Sequence, residues 1–283
     1  MAKNWTTYWT GLLEQELRAR NYSKETFKNY IHAVGIFLDP HPKHPAELTQ
    51  NDVRLFLNTL RIENQFSAST VNLYRDGLAF FFHHIVKNPS AIDGLPRLKE
   101  DKALPDVLDA NALTRMMASV QNPKHHLALA LSYGCGFRVG ELAALKVADI
   151  QFTRKTITVR KGKGSKDRLV MLPESLETPI QNYLDQYNPR TYLFESSIPG
   201  TPLTKRTFQM VFKNACKAAG IIQVGGIHSL RHSFATHLLE NGTDIRYIQS
   251  LMGHSSSKTT ERYTHVASHQ VGRIKSPVDL LGR

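Results

Sequence analysis

Hydrophobic residues recur at helical spacing in four blocks over about the first ninety residues, and polar or proline-rich breaks separate the blocks. The repeated apolar positions are Trp5, Tyr8, Trp9, Leu12, Leu13 and Leu17; Phe27, Tyr30, Ile31, Val34, Phe37 and Leu38; Val53, Phe56, Leu57 and Leu60; and Val71, Tyr74, Leu78, Phe81, Phe82 and Ile85. Thr49 and Asp52 have the spacing of a capping box before the third block. The pattern therefore predicts an N-terminal unit of four helices.

Aromatic residues are dense in the fourth block, from Tyr74 to Phe82. Such a stripe could stack on nucleic-acid bases. An apolar set at helical spacing is, however, more typical of a core. We expect these rings to be buried.

Prolines and mixed charge interrupt the periodicity between Asn88 and Pro105. The boundary predicted there separates an N-terminal domain (1–98) from a second domain (107–283) through a linker (99–106). In the second domain the patterns predict helices at 110–120, 124–135, 140–147, 174–187, 204–219, 227–241 and 244–252, strands at 156–159 and 169–172, and a short strand at 192–194. The fold class predicted is mainly α with a small antiparallel β-sheet.

The charge balance favours an anionic partner. The chain has 36 Lys and Arg against 24 Asp and Glu, a formal net charge of +12, which is typical of nucleic-acid-binding proteins. An RNA-binding or ribosomal protein would show the same balance. No apolar run is long enough to span a membrane, the N-terminus does not open a signal peptide, and the two cysteines are widely separated. A cytoplasmic location fits these features.

Two arginines are candidate phosphate ligands. Guanidinium groups bind phosphate oxygens in a bidentate manner and stay charged at any working pH. Arg138 and Arg231 suit such a clamp, although an arbitrary arginine in this basic chain could equally be a surface group. Glu141 follows Arg138 by one helical turn, where it could hold a neighbouring charged group or form a plain helix salt bridge.

A turn rich in glycine and lysine at 160–168 separates the two predicted strands. Lys163 lies at its tip, where the ammonium could protonate a departing oxygen of DNA. Lys161, Lys166 and Arg168 flank it and are predicted to contact the DNA backbone. Position alone does not distinguish Lys163 from its neighbours.

Tyr263 is the candidate nucleophile. A phenol needs a partner to lose its proton, and His228 and His254 are the candidate partners. His228 and Arg231 are three residues apart, on one face of a predicted helix. One straight helix over 254–263 would place His254 and Tyr263 on opposite faces, so the three serines at 255–257 are expected to break it.

Other catalytic motifs are missing from the sequence. The glycines at 134, 136 and 140 do not match the dinucleotide-binding pattern, and neither a phosphate-binding NTPase loop nor a nucleophile elbow occurs. His228 and His232 have the spacing of a helical zinc pair, but no glutamate base lies between them. A metal site is therefore not expected.

Five motifs in register resemble those of the tyrosine recombinases, the family of phage integrases and Xer-like enzymes. The motifs are Gly136-Phe137-Arg138-Val139-Gly140-Glu141-Leu142, Gly162-Lys163-Gly164-Ser165-Lys166-Asp167-Arg168, His228-Ser229-Leu230-Arg231-His232-Ser233, Leu251-Met252-Gly253-His254 and Thr259-Thr260-Glu261-Arg262-Tyr263. The resemblance implies a two-domain, C-shaped DNA clamp, with a SAM-like core-binding domain before the catalytic domain.

The resemblance also implies a mechanism. Arg138, Lys163, His228, Arg231 and His254 would surround the scissile phosphate, and Tyr263 would attack it to form a 3′-phosphotyrosyl link. Neither ATP nor a metal is implied. The partners implied are double-stranded recombination sites and three further recombinase chains, identical or paralogous, in a tetramer on a Holliday junction. The tail at 264–283 would dock on a neighbour.

Several alternatives stay open at this point. The chain could act as a phage-type, integron-like or Xer-like recombinase. A type IB topoisomerase would use the same residues to relax supercoils, and a non-catalytic DNA-binding relative would share the charge and the helices.

Overall fold

The structure is a computed structural model that describes residues 5–41, 43–100, 106–160, 167–222 and 225–253. Two compact units divide the chain, Met1–Ala103 and Leu104–Arg283. None of the helices in the described ranges is long and apolar enough to cross a membrane.

Among the residues that the structure describes, the first unit has four α-helices, as the hydrophobic pattern predicts. They are α1 (Trp5–Ala19), α2 (Lys24–Leu38), α3 (Gln50–Ile62) and α4 (Ala68–Phe80), which continues into a π-helical turn (Phe81–Val86). Hydroxyl side chains begin three of them: Ser23, Thr49 and Ser67 each accept a hydrogen bond from a backbone N–H in the first turn. Asp52 returns the contact to the Thr49 backbone at 2.7 Å, which completes the predicted capping box.

Helix α2 packs against both α1 and α4. The core between them contains Leu13, Leu17, Phe37, Phe81 and Phe82, all fully buried. The prediction that the aromatic stripe of α4 belongs to the core is confirmed.

The stretch that follows α4 also enters this core. Ala91, Ile92 and Leu95 are buried against the same cluster, after a 3₁₀ turn at Pro89–Ala91. The predicted N-terminal domain (1–98) already includes this segment, but it is too short and too rich in proline to show periodicity, so only the folded chain reveals that it packs in the core.

The second unit is built around α6. Its elements are α5 (Ala110–Ala118), α6 (Pro123–Gly134), α7 (Val139–Ala144), β1 (Ile150–Gln151), β2 (Thr156–Val159), β3 (Arg168–Met171), α8 (Glu174–Tyr187), α9 (Lys205–Ala218), α10 (His228–Glu240) and α11 (Ile245–Met252). Helices α5, α7, α8, α9 and α10 all contact α6. The fold class, mainly helical with a small antiparallel sheet, is confirmed.

The sheet has the order β1-β2-β3, and both pairings are antiparallel. Strand β1 has only two residues and was not predicted. The predicted helix at 140–147 is shorter than expected, because α7 ends at Ala144 and a 3₁₀ turn occupies Val147–Asp149. The strand predicted at 192–194 is reduced to one bridge between Tyr192 and Lys146.

We expect Thr49→Ala to lower the free energy of unfolding of the first unit by about 1 kcal/mol, because the N-terminus of α3 loses its cap. Both tryptophans of the chain, Trp5 and Trp9, lie in α1, so their fluorescence during urea unfolding reports on this unit. Thr7→Ala, an exposed site within α1, is the matched control and should change stability by less than about 0.5 kcal/mol. Equal effects of the two substitutions would contradict the capping role.

Candidate active site

A turn that contains Gly136 connects α6 to α7. Gly136 has φ +62°, and a Cβ there would lie 2.4 Å from a ring atom of Phe234 on α10. Both the backbone conformation and the close approach of the ring therefore require glycine. The next residue, Phe137, is buried, and the turn ends at Arg138, which caps the start of α7.

The Glu141 carboxylate is the centre of the site. It accepts hydrogen bonds from the Arg138 backbone N–H and from Arg138 Nη1, both at 2.8 Å. Arg168 binds it in a bidentate manner, with Nη1 at 2.7 Å from Oε1 and Nη2 at 2.8 Å from Oε2. Arg231 Nη1 lies 3.8 Å from Oε2. The Glu141 carboxylate on α7 thus holds guanidinium groups from the residue before α7, from β3 and from α10.

The cluster keeps Glu141 ionised. Burial would raise the pKa of its carboxyl, but the hydrogen bonds and charge of Arg168, together with the Arg138 contacts, outweigh burial and lower the pKa to about 2. The side chain is only 7% exposed. A buried carboxylate without these donors would be costly, so the arginines and the glutamate depend on one another.

Arg231 is held by backbone carbonyls. Its Nη1 donates to Gly136 O and its Nη2 donates to Met252 O, each at 2.5 Å, and its side chain is 4% exposed. One guanidinium therefore links the turn before α7 to the end of α11.

Helix α10 is itself tied to the start of the second unit. The Ser233 hydroxyl accepts a hydrogen bond from Leu108 N–H at 2.8 Å and donates to Ser229 O at 2.9 Å. Asp106 accepts from Gly225 N–H at 3.0 Å, just before α10. These contacts hold the helix that carries His228 and Arg231.

His228 is the first residue of α10 and is exposed on one side. Desolvation on its inner side lowers the pKa of its imidazole, and the positive charges of Arg231 and Arg138 lower it further, against the opposing effect of Glu141. A lowered pKa keeps the ring neutral at pH 7. A neutral imidazole offers one hydrogen-bond donor and one acceptor.

The strands that flank the lysine-rich turn are anchored near its base. Asp149 is buried, accepts a hydrogen bond from Lys146 N–H at 3.1 Å, and pairs with the Arg160 guanidinium. Lys161, Lys163 and Lys166 lie outside the described residues. So do His254, Tyr263 and the expected helix break at 255–257.

Arg168, which is predicted with Lys161 and Lys166 to contact the DNA backbone, has a side chain that is only 10% exposed and points to Glu141. The alternation of buried and exposed side chains along β3 accounts for this orientation. Arg168 shares a face of β3 with buried Val170, whereas Leu169 between them is 60% exposed. The predicted strand began one residue too late to include Arg168.

Three guanidinium groups around one carboxylate leave an excess of positive charge in the described part of the site. Arg138 is the more accessible of the two candidate phosphate ligands, with 24% of its side chain exposed. Such an arrangement suits an anionic group with several oxygens, such as a phosphodiester.

Comparisons with known proteins agree with this chemistry. The sequence model of the phage integrase family matches residues 106–270, and that of the phage integrase N-terminal SAM-like domain matches residues 11–92. Tyrosine recombinase XerA of Pyrococcus furiosus is 35% identical over 270 residues, which cover 94% of this chain and 92% of that protein.

Solved structures give the same result for the fold. A crystal structure of XerA recombinase has a TM-score of 0.56 and 28% identity, covering 96% of this chain and 99% of that chain. A lambda integrase tetramer bound to a Holliday junction has a TM-score of 0.76 and 21% identity, covering 91% and 76%. The family model matches more than half of this chain, and a relative is 35% identical over almost all of it. The chain therefore belongs to the phage integrase family of tyrosine recombinases, enzymes that transfer DNA strands.

Proposed function

We propose that Arg138, His228 and Arg231 form part of the site at which this recombinase cleaves and rejoins DNA, and that Lys163, His254 and Tyr263 complete it. The observation that carries the proposal is the convergence of α7, β3 and α10 on the Glu141 carboxylate. It gathers two of the six predicted groups, Arg138 and Arg231, at one buried anion. His228 lies close enough to both arginines for their positive charges to lower the pKa of its imidazole.

The mechanism follows from the resemblance and from the chemistry of these groups. The Tyr263 oxygen attacks the scissile phosphorus and its proton passes to His228 or His254, the two candidate partners, while Arg138 and Arg231 neutralise the charge on the non-bridging oxygens. The bond to the 5′-oxygen breaks, and Lys163 supplies the proton that this leaving group needs. The 3′-phosphotyrosyl link conserves the bond energy, so the 5′-hydroxyl of a partner strand reverses the step without ATP.

The protein is proposed to clamp its duplex between the N-terminal domain (1–98) and the catalytic domain (107–283). Lys161 and Lys166 would contact the DNA backbone beside Lys163. The net charge of +12 supports this role. A cytoplasmic location is part of the proposal; Cys135 and Cys216 are both buried free thiols, which suits a reducing compartment.

Covalent capture tests the nucleophile. Wild-type protein incubated with fragmented DNA from its source cell and then denatured should carry DNA joined at one sequence. Tyr263→Phe should carry none, because its ring lacks the attacking oxygen. Tyr247→Phe is the matched control: Tyr247 is 70% exposed on α11, and this variant should be captured like wild type. Sequencing the joined ends yields the recombination site.

Each other outcome of the capture contradicts a stated part of the proposal. Adducts that persist in Tyr263→Phe would reject the assigned nucleophile. Joined ends scattered over many sequences would indicate a relaxing enzyme of the topoisomerase kind. Tight DNA binding without any adduct would indicate a non-catalytic binding protein.

The pH dependence of cleavage should report on His228. Because the pKa of this imidazole is lowered below 6.5, the neutral form persists into mildly acidic solution. The rate constant should therefore fall only at more acidic pH, as the ring gains a proton. The test is single-turnover cleavage of the captured site, measured between about pH 5 and 8. The fall in rate constant at acidic pH should disappear in His228→Asn, whose side chain does not titrate. The same fall in that variant would reject the assignment.

Assembly is the last part of the proposal. We propose that four identical chains join two duplexes through a Holliday junction, as the tetramer of lambda integrase is bound to one. A mass measurement on the captured site should give a complex of four chains and two duplexes. Complexes that never exceed one duplex would contradict this assembly, and a requirement for a second, paralogous chain would reject the homotetramer.

A further inference from the structure

Arg168 occupies a junction between three of the motifs. It is the first residue of β3 and comes five positions after Lys163 in the sequence. The opposite residue on β2 is Val159, the last residue of that strand. The position of Arg168 is therefore fixed by the same strand pair that flanks the lysine-rich turn.

Every nitrogen of the Arg168 guanidinium has an acceptor within the protein. Nη1 and Nη2 bind the two oxygens of Glu141, and Nε donates to Leu251 O at 2.7 Å. The planar fork matches the carboxylate, and the third donor is turned toward the end of α11. A lysine could reproduce the charge but not this geometry.

The end of α11 is shaped around the same side chain. Gly253 has φ +59°, and a Cβ there would lie 2.9 Å from Arg168 Cδ. Glycine is thus required both by its backbone conformation and by the approach of the arginine. The next residue in the sequence is His254, so the position at which the chain leaves α11 toward the proposed His254 and Tyr263 is set against Arg168.

We propose that Arg168 is a positioning residue for strand transfer, which holds Glu141, and through it Arg138, in register with the end of α11. This inference rests on the proposed function. Arg168 acts through other groups: it orients the clamp arginine Arg138 and anchors the segment that leads to His254.

The geometry favours this role over the alternative, a phosphate contact. Glu141 and Leu251 O accept three of the five N–H groups of the guanidinium, so a phosphate could be bound only by the two hydrogens left on Nη1 and Nη2, or by taking the donor from a buried carboxylate or carbonyl.

Two variants separate the roles. Arg168→Lys keeps the charge and removes the fork, and Arg168→Met removes the charge at similar length. Arg246→Met is the matched control. The Arg246 side chain on α11 is 86% exposed and pairs with Asp244, so this variant removes the same charge from a site away from Glu141. Thermal unfolding of all variants first establishes which of them are folded at the assay temperature.

The first measurement is binding to a random-sequence duplex over a range of salt concentrations. A positioning residue leaves the slope of log K against log salt unchanged in both Arg168 variants. A phosphate contact would reduce the slope by about 0.9 in Arg168→Met, and this result would overturn the inference. The measurement needs no recombination site, so it decides the point even if the proposed function fails.

The second measurement is single-turnover cleavage of the captured site with a native phosphate or a neutral methylphosphonate at the scissile position. Misplacement of Arg138 should slow cleavage of the phosphate on the order of 10²-fold in Arg168→Met, with a smaller loss in Arg168→Lys. The loss should shrink at least tenfold on the methylphosphonate, because this substrate carries no charge for the clamp to neutralise.

A purely structural role for Arg168 would slow both substrates by the same factor, and this outcome would overturn the inference. Wild-type rates in the folded Arg168 variants would also overturn it. Wild-type protein that forms no adduct with any DNA in the capture experiment would instead reject the proposed function. The two failures are therefore distinguishable.

Discussion

The buried carboxylate of Glu141 determines how the described part of the site is assembled. Removing a carboxylate from water is unfavourable unless charged donors replace the lost hydration. Arg138 and Arg168 supply these donors from two separate elements, and together they lower the pKa of the carboxyl to about 2. The same requirement brings the guanidiniums of a recombinase site close to one another despite their mutual repulsion.

Backbone groups complete this arrangement. Arg231 is bound by the carbonyls of Gly136 and Met252, which places it between a turn and a helix end. Side-chain rearrangement alone cannot remove these acceptors, since they belong to the main chain. The fold therefore holds Arg231 in place, as its proposed role in stabilising a transition state would require.

Two glycines show how closely the elements approach. Gly136 accommodates the ring of Phe234, and Gly253 accommodates the side chain of Arg168. Both have positive φ, so any larger residue would meet backbone strain as well as a steric clash. Gly136 lies two residues before Arg138 and Gly253 one residue before His254, two groups of the proposed mechanism.

Local interactions made much of the fold predictable from the sequence. Helices α1 to α4 follow from apolar residues at helical spacing, and Thr49 with Asp52 marks the start of α3 because a cap depends on residues three positions apart. The candidate groups Arg138, Glu141 and Arg231 were also found from the sequence, since their motifs have characteristic residue types and spacing.

Tertiary structure decided the rest. The burial of Ile92 and Leu95 in the first core, and the inward orientation of Arg168, depend on partners distant in the chain. Local sequence carries only a weak signal for such contacts. Strand β3 begins at Arg168, one residue earlier than predicted, and this start places the Arg168 side chain on the buried face of the strand. The sequence by itself thus determined the helices, the family and the charged groups of the site. The packing of β3 and α10 against the start of α7 decided which of those charged groups contact one another around Glu141.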